Sequence, residues 1–158
     1  MRYLSIKAKR SVVLATLNEE KKIRDCLESV KDIAGEIIIV DGTSTDKTVE
    51  IAKEYGAKVT VTNNPPVFHI NKQKALEQAT YTWILQMDAD ERVSKALAKE
   101  IERVMQMTPQ EIADYQKVLK KRALFMRHQE LVEERDGKIG DNAQEEYVAF
   151  FLARKNYF

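Results

Sequence analysis

The run Tyr81 to Met87 is apolar enough for a buried strand, and Asp88-Ala89-Asp90 follows it directly. Open α/β sheets bind ligands at the C-terminal ends of their strands, where this pair of carboxylates would stand. Two carboxylates one residue apart pack poorly but hold a hard divalent cation well, and such a cation neutralises a diphosphate. A plainer reading competes: Asp88, Asp90 and Glu91 precede a helical stretch, where negative charge is favoured. Two further polar clusters favour the first reading. Thr16-Leu17-Asn18-Glu19-Glu20 ends one apolar run, and Asp41-Gly42-Thr43-Ser44-Thr45-Asp46 ends another.

The elements that must position these clusters are legible as alternation. Ser11 to Thr16 reads as a strand, and Glu19 to Ile33 as a helix with Ile23, Leu27 and Val30 at helical spacing. Gly35 closes that helix, and Glu36 to Asp41 is a β-branched strand. Ser44-Thr45-Asp46 then supplies a cap and a first-turn acid for a helix that Gly56 ends. Ala57 to Thr62 reads as a third strand, Asn63 to Pro66 as a loop, Asn71 to Ala79 as a helix, and Tyr81 to Met87 as the fourth strand. Four strands, apolar on both faces and alternating with helices, predict an α/β fold, a mainly parallel sheet covered on both sides. In such a sheet all three clusters share one edge.

After Asp90 the pattern turns helical. Ser94 to Met107 is one predicted helix, and the Thr108-Pro109-Gln110-Glu111 capping signal opens another reaching about Glu134. Gly137 to Asn142 reads as a turn and Tyr147 to Leu152 as a further strand.

Taken together, the clusters outline a site for a nucleotide sugar. Asp41 can accept from a nucleobase N–H, the first loop can hold base and ribose, and Asp88 and Asp90 can bring a cation to phosphates. Helix capping by Asn18, Ser44 or Thr45 is the ordinary alternative. It accounts less well for Asp41, because an acid closing an isoleucine-rich strand is desolvated and needs a partner.

Bulk composition narrows the classes. The 158 residues, 44% of them hydrophobic, suffice for a single domain over 1–158, and a net charge of +1 gives no basic excess for nucleic acid. Lone Cys26 reads as a packing residue and fits a reducing cytoplasm. The sequence has no run near the roughly 20 apolar residues a membrane span needs. His69 reads as a loop residue, with no second His or Cys at metal spacing.

These residues resemble the inverting glycosyltransferases of family 2, which have the Rossmann-like GT-A fold. SVVLATLNEE (Ser11 to Glu20) is similar to the family's opening strand and loop, and EIIIVDGTSTDKT (Glu36 to Thr48) to its second strand and base-binding loop. Asn71 to Ala79 resembles its basic segment, and WILQMDADER (Trp83 to Arg92) its metal-binding strand with the DXD motif. Tyr147 to Phe158 is similar to a later strand of lipopolysaccharide-core-type members, which implies a role in cell-envelope polysaccharide synthesis. By that resemblance Ala15, Thr16, Leu17, Glu19, Asp41, Ser44, Lys72, Asp88 and Ala89 form the nucleotide-sugar site, and Asp88 and Asp90 hold Mn²⁺ or Mg²⁺. The donor is then a UDP- or GDP-linked sugar, and the acceptor a hydroxyl on a glycan or lipid-linked glycan. For Lys72 a solvated helix lysine is an equal alternative.

The chain also departs from the family. Ala15 stands where Pro is usual and Leu17 where an aromatic is frequent, which weakens base stacking. Residues 109–136 read as a helical insertion; a basic amphipathic face there could meet anionic lipid at the inner face of the membrane, or a second copy of the chain. The resemblance places the catalytic base after the Tyr147 strand, beyond Phe158, whereas Glu145 and Glu146 precede it; the acceptor-side half is thus expected to be absent. Two other functions compete. A nucleotidyltransferase wants a Gly-rich first loop that this chain lacks, and a non-catalytic assembly module would pair through an uncovered apolar strand edge.

Overall fold

The computed structural model describes residues 10–63 and 69–118. The predicted Pro65-Pro66 loop, the helix beyond Val118, the turn at 137–142, Glu145 and Glu146, and the strand at 147–152 lie outside the described residues. The chain divides into two compact units, residues 1–106 and 107–158.

The first unit runs β1 (Arg10–Thr16), α1 (Ile23–Val30), β2 (Glu36–Asp41), α2 (Thr48–Glu54), β3 (Lys58–Val61), α3 (His69–Glu77), β4 (Trp83–Met87) and α4 (Lys95–Met105). Among the described residues every strand pair is parallel, in the order β3-β2-β1-β4. Chain order therefore runs outward from β1 to β3 and then returns to place β4 on the other side of β1. That reversal puts a topological switch point between the C-terminal ends of β1 and β4, where doubly wound sheets open a crevice.

Right-handed crossovers dictate which face each helix covers. Connections β1-α1-β2 and β2-α2-β3 lead one way across the sheet, and β3-α3-β4 leads back, so α3 covers the opposite face. The core divides accordingly. Val12 and Leu14 of β1 and Ile37 and Ile39 of β2 pack with Ile23, Cys26, Leu27 and Val30 of α1 and Ile51 and Ala52 of α2; Leu97, Ala98 and Ile101 of α4 join them. Val13, Ile38 and Val40 point the other way, onto Ala75 and Leu76 of α3. This period-2 split of two continuously apolar strands is what a sheet covered on both sides requires.

Only the two central strands meet the expectation of two apolar faces. β1 is buried throughout, and β2 is buried from its second residue on. β3 is mostly exposed, with Val61 at 57%, and β4 alternates. The reason is position: among the described residues β3 flanks only β2, and Lys58 and Thr60 are exposed along it.

Helix starts also differ from the sequence reading. α1 begins at Ile23 and α2 at Thr48, and the residues before them, Lys22 and Lys47, make no side-chain cap. Asn18, Ser44 and Thr45 are therefore not caps. His69 opens α3 instead of lying in a loop. By contrast Ser94 caps α4, accepting from the Leu97 N–H at 3.1 Å. In the second unit the predicted capping box opens α5 (Pro109–Val118): the Glu111 carboxylate accepts from the Thr108 N–H at 2.7 Å, and Thr108 Oγ1 from the Glu111 N–H at 3.3 Å. No helix among the described residues is long and apolar enough to cross a membrane.

Candidate active site

Register fixes the relation between the three clusters. Thr16 sits opposite Asp41, and Leu14 opposite Met87, so Leu17, Gly42 and Asp88 leave three adjacent strands on one edge. β1 lies between the other two, which spaces Asp41 and Asp88 by two strand separations, about 10 Å. The predicted residues accordingly divide into a buried knot and an open cleft.

The knot is built on Asp41, which has no exposed surface. Its carboxylate accepts from Thr16 Oγ1 at 2.8 Å, from the Ser44 N–H at 2.7 Å and from Ser44 Oγ at 2.6 Å. Here are the partners a desolvated acid requires. Ser44 Oγ in turn accepts from the Asn18 N–H at 2.8 Å, and Asn18 Oδ1 accepts from the Thr45 N–H at 2.9 Å. The Glu19 N–H donates to Thr48 Oγ1 at 2.8 Å, and the Glu20 N–H to Asp46 at 3.1 Å. The Asp46 carboxyl is pushed up by its surroundings, but donors from Thr48 and Glu20 outweigh this and hold it below the usual range. The first and second loops are thus stitched to one another, with Asn18 and Thr43 held at positive φ, 54° and 70°. Sequence reasoning missed Asn18, Asp46 and Thr48 as the stitches.

The cleft, about 230 Å³, opens at the switch point and is lined by Ala15, Leu17, Glu19, Asp88, Ala89 and Asp90. Asp90 is exposed; Ala15 and Ala89 are buried, and their small side chains floor the cleft. Lys72, in the first turn of α3, reaches across the edge to pair with Asp88, Nζ to Oδ1 at 2.6 Å. Of the predicted residues the structure brings Ala15, Leu17, Glu19, Asp88, Ala89 and Asp90 to the cleft; Lys72 meets it through its pair with Asp88, while Thr16, Asp41 and Ser44 do not line it and belong to the knot.

The acidic loop is docked on α1. Glu91 Oε2 accepts from the Asp88 N–H at 2.8 Å, and the Glu91 N–H donates to the Asp88 carbonyl at 3.0 Å. Arg92 donates to the Asp90 carbonyl at 3.0 Å while its other nitrogen meets Asp25 Oδ2 at 2.9 Å. The Val93 N–H donates to Ser29 Oγ at 3.0 Å, and Cys26 Sγ lies 3.6 Å from the Asp88 carbonyl. Burial pushes the Cys26 thiol up to about 12, so it stays a neutral packing group. Asp25, Ser29 and Arg92 were not singled out from sequence, since their roles depend on a contact 64 or more residues apart.

Donor chemistry decides whether this cleft suits a cation. Its acids offer only hard oxygen ligands, which match Mn²⁺ or Mg²⁺. Among the described residues no group of three or more ligating side chains converges.

The likeness to known proteins agrees with this architecture. A glycosyltransferase of Rickettsia bellii, itself uncharacterised, is 44% identical over 97 residues, covering 61% of this chain and 32% of the relative. The glycosyltransferase SunS of Bacillus subtilis is 41% identical over 91 residues, covering 55% and 21%. Among solved structures, TarS residues 1–349 from S. aureus superposes with a TM-score of 0.56 at 30% identity, over 61% of this chain and 32% of that one. The matched part of this chain thus spans about a third of the length of the Rickettsia bellii relative and of TarS residues 1–349, and about a fifth of SunS. The profile of glycosyl transferase family 2 matches residues 11–156, from the first strand through the acidic loop and beyond. With the parallel sheet, its switch-point cleft and that match together, the chain belongs to glycosyl transferase family 2.

Proposed function

We propose that this chain is the donor-binding part of a glycosyltransferase that moves a sugar from a nucleoside diphosphate, UDP- or GDP-linked, to a hydroxyl acceptor with inversion at the anomeric carbon. The observation that carries the reading is the cleft between the ends of β1 and β4, where Glu19, Asp88 and Asp90 gather beside the buried Asp41 knot. Leu17 and the stitched first and second loops offer a rigid wall for base and ribose, with Thr16, Asp41 and Ser44 setting its shape. Lys72 brings a positive charge up to Asp88 at the cleft's edge. Asp88 and Asp90 would hold Mn²⁺ or Mg²⁺, which supplies the positive charge that lets the nucleoside diphosphate leave. A cytoplasmic setting with a glycan or lipid-linked acceptor belongs to the same proposal.

Calorimetry with UDP and with GDP, each with and without Mn²⁺, tests it. Micromolar to sub-millimolar binding of one nucleotide, dependent on Mn²⁺ and lost in Asp90→Ala, is the expected result. If neither nucleotide binds in the presence of Mn²⁺, the reading is wrong.

A further inference from the structure

Lys72 occupies an electrostatically awkward position. It lies in the first turn of α3, which contains no acid, and the positive end of a helix dipole disfavours an ammonium there. Asp88 offsets this by pairing at 2.6 Å. The pair is partly buried, with side chains 18% and 31% exposed, so salt screens it less than a surface pair. Its geometry has a further consequence. The carboxylate that Lys72 holds is one of three that line the cleft, with those of Glu19 and Asp90.

We propose that Lys72 is a built-in counter-ion that couples cation binding to diphosphate binding, an inference that rests on the donor-site reading above. While Lys72 holds Asp88, a divalent cation approaching the acidic loop meets a positive charge and a carboxylate already engaged. Cation alone therefore binds weakly. A diphosphate in the cleft gives the ammonium a second anion, at a helix end that favours one. Lys72 then shifts its pairing toward phosphate, and Asp88 is released toward the cation. Each ligand tightens the other, as linkage requires. Such a device keeps the acidic loop from filling with cation before the donor arrives.

The test uses the 158-residue chain, with free Mn²⁺ read by electron paramagnetic resonance and nucleotide by calorimetry. In the wild-type chain, saturating UDP or GDP should tighten Mn²⁺ roughly 5- to 50-fold, within the ordinary range of coupling between sites. In Lys72→Met, Mn²⁺ alone should bind at least fivefold tighter than in wild type, and the tightening by nucleotide should shrink toward unity. Lys72→Arg, which keeps the charge, should behave as wild type; Lys72→Gln replaces the Met variant if that one fails to fold. Unchanged or weaker Mn²⁺ binding in the uncharged variant, or an undiminished coupling, overturns the inference while leaving the donor site standing. Absence of nucleotide binding in wild type would remove both.

Discussion

Thr43 shows how much of the site's order is enforced against local preference. It is β-branched and held at φ 70°, where an L-residue with a branched Cβ is strained by about 1–2 kcal/mol. Its hydroxyl donates to the Thr62 carbonyl at 2.9 Å, an exposed bond that offsets part of this. Asparagine tolerates the left-handed region far better. Thr43→Asn should therefore raise stability by about 0.5–1 kcal/mol, read as a higher urea midpoint with unchanged slope. A lower midpoint would mean that the bond to Thr62 outweighs the strain. Asp41 is the opposite case, a residue on which others depend. Asp41→Ala removes the acceptor for Thr16 Oγ1 and for both Ser44 donors in a fully buried position, and should cost about 3 kcal/mol. Destabilisation under 1 kcal/mol would show that those donors find other partners.

At the scale of elements, Glu36 holds the opposite edge of the sheet together. Standing at the start of β2, it accepts from Ser11 Oγ of β1 at 2.6 Å, from the Thr80 N–H before β4 at 2.8 Å, and from Lys58 of β3 at 2.8 Å. Burial pushes its carboxyl up, but the donors from Lys58, Ser11 and Thr80 prevail and hold it at about 2. Because that lies below the unfolded value of about 4.3, the contribution is fully present above that value and is lost as pH falls toward 2. Glu36→Gln should therefore destabilise by about 1–2 kcal/mol at pH 7, the exposed Lys58 end counting for little, and the gap from wild type should close between pH 4.5 and 2. A gap that stays constant across that range would contradict the assignment. The elements themselves were readable where burial leaves a strong mark. β1 and β2 follow from their unbroken apolar runs, and the α5 start from a capping box whose two halves bond only each other. Helix starts after the first and second strands were misread for a physical reason. Asn18, Ser44 and Thr45 have the chemistry of caps, and local sequence cannot say whether a polar side chain satisfies its own helix or the neighbouring loop.

For the molecule as a whole, the site is legible as a list of residues and less so as an arrangement. Strand-end position brought the clusters that hold Leu17, Glu19, Asp88 and Asp90 into view, because a parallel sheet sends every C-terminal end to one edge, and the family resemblance singled out Leu17 and Glu19 within them. That Asp41 would be walled in while Asp88 stays in the cleft depends on strand order, and order depends on crossovers that no short motif encodes. The same topology makes a prediction about global stability. The cleft is formed by the ends of β1 and β4, which are distant in sequence and meet only in the folded sheet, so a ligand bound there favours the native state alone. At a concentration 100-fold above its dissociation constant it should add about 2.7 kcal/mol, a rise of roughly 5–10 °C in the melting temperature. UDP or GDP together with Mn²⁺ should produce that rise, and Mn²⁺ alone much less, since Lys72 already occupies Asp88. Asp90 is exposed, so Asp90→Ala should melt within about 0.5 kcal/mol of wild type without ligand. With ligand, its melting temperature should not move. A variant that still rises by the full amount would show that the cation is held elsewhere, and one that melts early without ligand would show that Asp90 serves the fold instead of the cleft.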